Sequence, residues 1–283
     1  MPTLTRLVQF VFLIGIFLIR ANTLFAQDAD LIRHFDYDQK APLGTKQVGV
    51  QHRDGATVYD ITYASPEGGA VPAYLVVPKG KGPFAAVIWG HWYWENSSMR
   101  NRRQFLDEAV VLAQAGVVSL LPDGPVARPG HVESRVNTVG AFLSGIDRRF
   151  KAFVLMAGTL SDEVDLKSKE YRNYRQKIGP GKFDAFIAKY YWMDEGKYVA
   201  HAAPAFVFLQ YASQEKFLNP DRACEYEKIV SEPKLLKIYD APHALSAEAR
   251  RDRIQFLSEQ LKLKPLPAAL IASIPNLYQP PDQ

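Results

Sequence analysis

Cysteine is nearly absent. The 283 residues hold one, Cys224, which excludes an internal disulfide and a multi-cysteine metal cluster. No long run of lysine and arginine is present, and 34 basic residues face 30 acidic ones. Without such a run, no nucleic-acid partner is expected. Beyond the N-terminus no stretch reaches the roughly 18 apolar residues of a membrane-spanning helix. Internal repeats and low-complexity tracts are missing, and no Gly-x-Ser-x-Gly pentapeptide occurs. What is there is ordinary globular composition, 47% hydrophobic and 23% charged, which excludes wholesale disorder.

The first 26 residues read as an export signal. Arg6 supplies a short positive region and Leu7 to Ile19 is apolar apart from Gln9 and Gly15. That core is shorter than the roughly 20 residues of a bilayer span. Ala26 offers a cleavage point, with Gln27 as the new N-terminus and residues 27–283 as a single domain. The alternative is an uncleaved anchor. With Arg6 and Arg20 removed, the 34 basic residues fall to 32 against 30 acidic ones. The mature chain is expected to be periplasmic or secreted, without stable membrane insertion.

The rest alternates short apolar runs with helical spacing. Lys46–Arg53 and Thr57–Tyr63 read as a hairpin joined at Asp54-Gly55, and Val71–Val77 as a third strand. Phe84–Trp89, Val117–Leu121 and Ala152–Met156 are unbroken apolar runs, as in strands buried on both faces. Ala205–Tyr211 and Leu235–Tyr239 follow. Helical spacing marks Arg100–Gln114, Asn137–Ile146, Asp184–Trp192, Asp221–Val230 and Ala247–Leu261. A Pro-rich tail from about 265 wraps the surface. This is the pattern of an α/β protein with a mostly parallel sheet and an antiparallel start.

Six pieces in order carry a resemblance. They are Val71–Pro78, Ala86–His91, Leu120–Pro125, Phe150–Gly158, Leu209–Ser213 and Tyr239–Leu245. Together they resemble the α/β-hydrolase superfamily, most nearly its dienelactone-hydrolase and acetyl-esterase-like branch, from about Thr45 to Leu263. The resemblance implies a serine-type hydrolase of carboxylic esters, with a small-molecule ester as partner and no cofactor or metal.

It also implies roles for particular residues. His243, in the loop between a buried strand and a long helix, stands where the family places its catalytic base; a helix-capping histidine would look the same. Glu215 aligns with the family's acid, although Lys216 beside it would suit a solvated carboxylate equally. His91, Trp92 and Tyr93 occupy the loop that supplies an oxyanion N–H. The aromatic run Trp89, Trp92, Tyr93 and Trp94 would wall a pocket or simply pack. Cys224 lies in a helix and reads as a packing or surface thiol. Asp123 suits the turn Pro122–Pro125 by itself. His131 and Glu133 near it match no established metal spacing, and His34, His52 and His201 form no constellation.

The nucleophile departs from the family's pattern. The elbow serine should fall near Ser134, yet Val132-Glu133-Ser134-Arg135-Val136 has lost both glycines. Val126 to Phe150 is 25 residues, where a helix, a central strand, an elbow and a second helix need about 50. The central strand and its preceding helix are therefore expected to be missing, with Phe84–Trp89 pairing directly to Ala152–Met156. Three readings stay open: an ester hydrolase impaired by this loss, a non-catalytic binding protein of the same fold, and a deletion product with no stable function.

Overall fold

The computed structural model describes residues 31–92, 97–128, 139–158, 161, 166, 169–214 and 220–277. The chain divides into two compact units, Met1–Ala41 and Pro42–Gln283. Among the described residues the first holds a short 3-10 turn, Arg33–Phe35. Both sheets belong to the second.

The strands are β1 (Lys46–Arg53), β2 (Ala56–Ala64), β3 (Ala70–Pro78), β4 (Ala85–Ile88), β5 (Val117–Pro122), β6 (Ala152–Met156), β7 (Phe206–Ala212) and β8 (Lys234–Tyr239). The helices are α1 (Leu106–Gln114), α2 (Val139–Ile146), α3 (Lys169–Ile178), α4 (Pro180–Tyr190), α5 (Gly196–Val199), α6 (Pro220–Ile229), α7 (Ala247–Leu261) and α8 (Ala268–Ala272). β1 and β2 close at Arg53↔Ala56. The turn needs Gly55, whose φ is 76°. A Cβ there would also stand 2.6 Å from Gln114 Cγ, so side chains are excluded by conformation and by space.

The strands form two sheets. One has the order β1-β2-β3-β5-β4 and the other β6-β7-β8. The first is antiparallel until β5, which pairs β4 in parallel (Ala85↔Val117 to Ile88↔Leu120). The second is parallel throughout. The expected pairing of Phe84–Trp89 with Ala152–Met156 is therefore corrected: β4 ends one sheet and β6 the other. The expectation that β4 is buried on both faces also fails. Ala86 and Ile88 are exposed, Ile88 at 49%, because successive side chains point to opposite faces and only the face of Ala85 and Val87 packs on a hydrophobic cluster.

The alternation along the second sheet separates two cores. Phe208, with Val154 and Met156, faces a cluster that includes Trp89, Leu112, Val117, Leu121, Ile254 and Phe256. Val207 and Leu209, with Phe153 and Leu155, face a second cluster containing Val199 and Tyr226. Successive residues of a strand point to opposite faces, so this sheet lies between α1 and α7 on one side and α2, α5 and α6 on the other. The Pro-rich tail is docked: Ile274 is buried and Leu270, Ile271 and Leu277 pack on the first cluster. Arg250 Nη1 donates to Pro275 O at 3.1 Å.

Two polar fixtures set the position of α7. Arg253 holds Glu108 of α1 through two bonds, 2.7 and 2.6 Å, with both side chains almost fully buried. Gln210 on β7 is fully buried and donates to Tyr239 Oη and to Ala249 O, at 2.9 and 2.8 Å. Tyr239 Oη in turn donates to Asp252 at 3.0 Å. Burial pushes the Tyr239 phenol well up, so it stays a neutral donor to that carboxylate.

Candidate active site

The loops after β4, β5, β7 and β8 emerge at the carboxyl ends of parallel strands, where open α/β sheets place their ligands. The loop after β4 carries His91 and Trp92. Gly124 N donates to His91 Nε2 at 2.8 Å, and His91 Nδ1 lies 3.0 Å from Trp92 O. A backbone N–H can only donate, so Nε2 is the acceptor and Nδ1 carries the proton. Burial lowers the His91 pKa, opposed by the Trp92 carbonyl and by Asp123. His91 thus joins the loops after β4 and β5 as a neutral brace.

Trp92 N–H is also engaged. It donates to Gln104 Oε1 at 3.0 Å, and Gln104 is buried at 4% exposure. An oxyanion at this position would have to displace that acceptor. The turn after β5 is equally tied: Asp123 accepts from Arg102 N at 2.7 Å and from Arg102 Nη1 at 3.0 Å. Arg102 also reaches Asp60 at 3.0 Å and lies 4.7 Å over the Tyr74 ring. Asp123 is a structural turn residue here, held in a charge network between β2, β3 and β5.

The loop after β8 carries His243. Leu245 N donates to Pro242 O at 2.8 Å, and Leu245 takes a left-handed φ of 63°. Ser246 then caps α7 by accepting from Ala249 N at 3.2 Å. The chain reverses between strand and helix within this turn, and His243 stands at its bend. Its ring stacks on Trp92, with centroids 5.3 Å apart and planes at 23°. The loop after β7 joins the same group. Gln214 Nε2 donates to Asp240 Oδ1 at 2.8 Å, and Gln214 N donates to Ala241 O at 3.1 Å. The residues just before Glu215 are therefore anchored two and three positions before His243.

The structure thus brings His243, Trp92 and the approach to Glu215 together. Glu215, Ser134 and Tyr93 lie outside the described residues, as do Trp94, His131 and Glu133. Cys224 is an exposed free thiol on α6. Among the described residues no group of three or more histidine, cysteine or carboxylate side chains could hold a metal ion, and no helix is long and apolar enough to cross a membrane. Gln104 and Gln210 escape sequence reasoning, because a lone glutamine carries no spacing signal.

No protein-family model matches the sequence, and no curated protein matches it. Solved structures do. An acetyl xylan esterase from Thermoanaerobacterium sp. superposes with a TM-score of 0.60 at 16% identity, covering 84% of this chain and 93% of its own. Another acetyl xylan esterase, from Paenibacillus sp., gives 0.60 at 14% identity, with 85% and 94% covered. An α/β-hydrolase from Penicillium sp. gives 0.51 at 12% identity, with 72% and 98% covered.

The chain has the α/β-hydrolase fold.

Within that α/β-hydrolase frame the loops after β4 and β8 are the ones that the sequence resemblance assigns to the oxyanion donor and the base. They meet face to face through Trp92 and His243.

Proposed function

We propose that this protein is an exported hydrolase of carboxylic esters whose turnover is reduced by the loss of a normal nucleophile elbow. The observation that carries this reading is the stacking of His243 on Trp92 where the loops after β4 and β8 converge, in a fold shared with two acetyl xylan esterases. An intact site would use Ser134 Oγ as the nucleophile with His243 as its base; in the impaired site water attacks the ester carbonyl carbon while His243 takes the water proton. His243 then gives that proton to the departing alcohol, and Glu215 orients the imidazole and stabilises its cation.

The occupied Trp92 N–H argues for a low rate, because one oxyanion donor is worth about 10²–10³ in turnover. The same fact favours a second reading, a non-catalytic binding protein of this fold. Hydrolysis of p-nitrophenyl acetate and labelling by a fluorophosphonate probe separate the two. The ester-hydrolase reading expects slow turnover that His243→Ala removes, with Ser134→Ala having the smaller effect. Robust turnover with covalent labelling abolished by Ser134→Ala would show an intact nucleophile and refute the impairment. Inert protein that melts cooperatively would support the binding protein. Export is part of the proposal: the chain recovered from outside the cytoplasm should begin within a few residues of Gln27, and intact Met1-bearing chain in the membrane fraction would reject it.

A further inference from the structure

The positive charge of this protein is concentrated on one helical hairpin. Between Lys169 and Tyr190 stand Lys169, Arg172, Arg175, Lys177, Lys182 and Lys189, against Glu170 and Asp184. Six basic residues less two acidic ones equal the whole chain's net +4. Everything outside α3 and α4 therefore balances to zero. The same 22 residues hold five aromatic rings.

The hairpin borders an open pocket of about 570 Å³, lined by Tyr171, Arg172, Arg175, Phe183, Ile187 and Tyr191 among others. That is the size of a small-molecule site. Phe183 in its lining is buried, with Tyr171 and Tyr174 edge-on to it at 6.3 and 6.1 Å. At the rim, Arg175 grips Asp184 through two bonds of 2.8 and 2.6 Å. Both side chains of this pair are open to solvent, 44% and 56% exposed. An exposed pair is held weakly, so its guanidinium can change partners. It already binds a carboxylate in the forked geometry that a ligand carboxylate would reproduce.

We propose that this pocket binds an organic monocarboxylate with a flat, aryl-type body: the ring lies against Tyr171, Phe183 and Tyr191, and the carboxylate takes the Arg175 fork from Asp184. The surplus positive charge draws the anion in. The proposal does not rest on the ester-hydrolase reading, since it concerns binding without turnover.

Titration calorimetry of the purified protein with trans-cinnamate tests it, with cinnamyl alcohol and acetate as probes lacking the charge or the body. One cinnamate per chain is expected, with both controls much weaker. Asp184→Asn releases Arg175 from competition and should tighten cinnamate about threefold. Arg175→Met should weaken it about fivefold or more. A gain of affinity cannot come from misfolding, so the Asp184→Asn result stands whatever the other variant does. Cinnamyl alcohol binding as tightly as cinnamate would overturn the proposal. So would cinnamate affinity indifferent to both substitutions, or no binding at all.

Discussion

Two arginine–carboxylate pairs in this molecule have the same forked geometry and opposite surroundings. Arg253 holds Glu108 at 2.7 and 2.6 Å with both side chains almost wholly buried. Arg175 holds Asp184 at 2.8 and 2.6 Å on an open helical surface. Bond length does not distinguish them, and their solvent does. In the interior each charge has lost its water and depends mainly on the other, with Arg250 the next charge within reach. On the hairpin, water and salt screen the attraction and replace either partner readily. The first pair joins α1 to α7 and so fixes the helix that follows the His243 loop. The second leaves a cation available beside an open pocket.

The sharpest break in this comparison is Arg253→Met. It strands the Glu108 carboxylate inside the first hydrophobic cluster, and about 3–5 kcal/mol of stability should be lost, read as a fall in the denaturant midpoint. Glu108→Gln with Arg253→Met together should recover much of that loss, since the stranded charge is gone. If the single substitution leaves the midpoint unchanged, burial is not what separates the two pairs.

A smaller effect comes from His91, another buried polar fixture. Its folded pKa is lowered by burial, so the unfolded chain binds a proton more readily. His91 then contributes its full stability above the unfolded value of about 6.5 and loses it as pH falls below that toward the folded value. Chemical denaturation at pH 7.5 and at successively lower pH should show stability declining on acidification, and His91→Asn should flatten that decline. An unchanged slope in the variant would mean other groups govern this range.

The smallest effect is expected at the exposed pair. Arg175→Met should leave the melting temperature unchanged within measurement, even though it removes a bond pair as short as the buried one. A clear drop would make the hairpin pair structural and erase the contrast.

How much of this was legible beforehand follows from the range of each interaction. β1, β6 and α7 fall at the residues that sequence pattern assigns, Lys46–Arg53, Ala152–Met156 and Ala247–Leu261, because apolar periodicity and the Ser246 cap are local. α4 begins at Pro180 instead of Asp184, since Gly179-Pro180 reads as a break although proline is well suited to a helix's first turn. Sequence pattern does not mark α3: Lys-Glu-Tyr-Arg-Asn-Tyr-Arg-Gln-Lys-Ile has almost no apolar stripe, and its helix is held by the rings packed on Phe183. For the site, sequence pointed to His243 and to the His91-Trp92 loop. It could not show that Trp92 N–H is taken by Gln104, twelve residues away, or that His91 is bound to Gly124.

The sequence by itself determined the alternation of strands and helices, the place of His243 between β8 and α7, and the lack of a glycine-flanked serine. These depend on neighbours in the chain, where turn and periodicity rules act. Tertiary structure alone decided that β4 and β6 end separate sheets, that Trp92 lies against His243, and that Glu108 and Arg253 pair across 145 residues. Each of those depends on which distant surfaces lose their water together, and no local pattern records that choice.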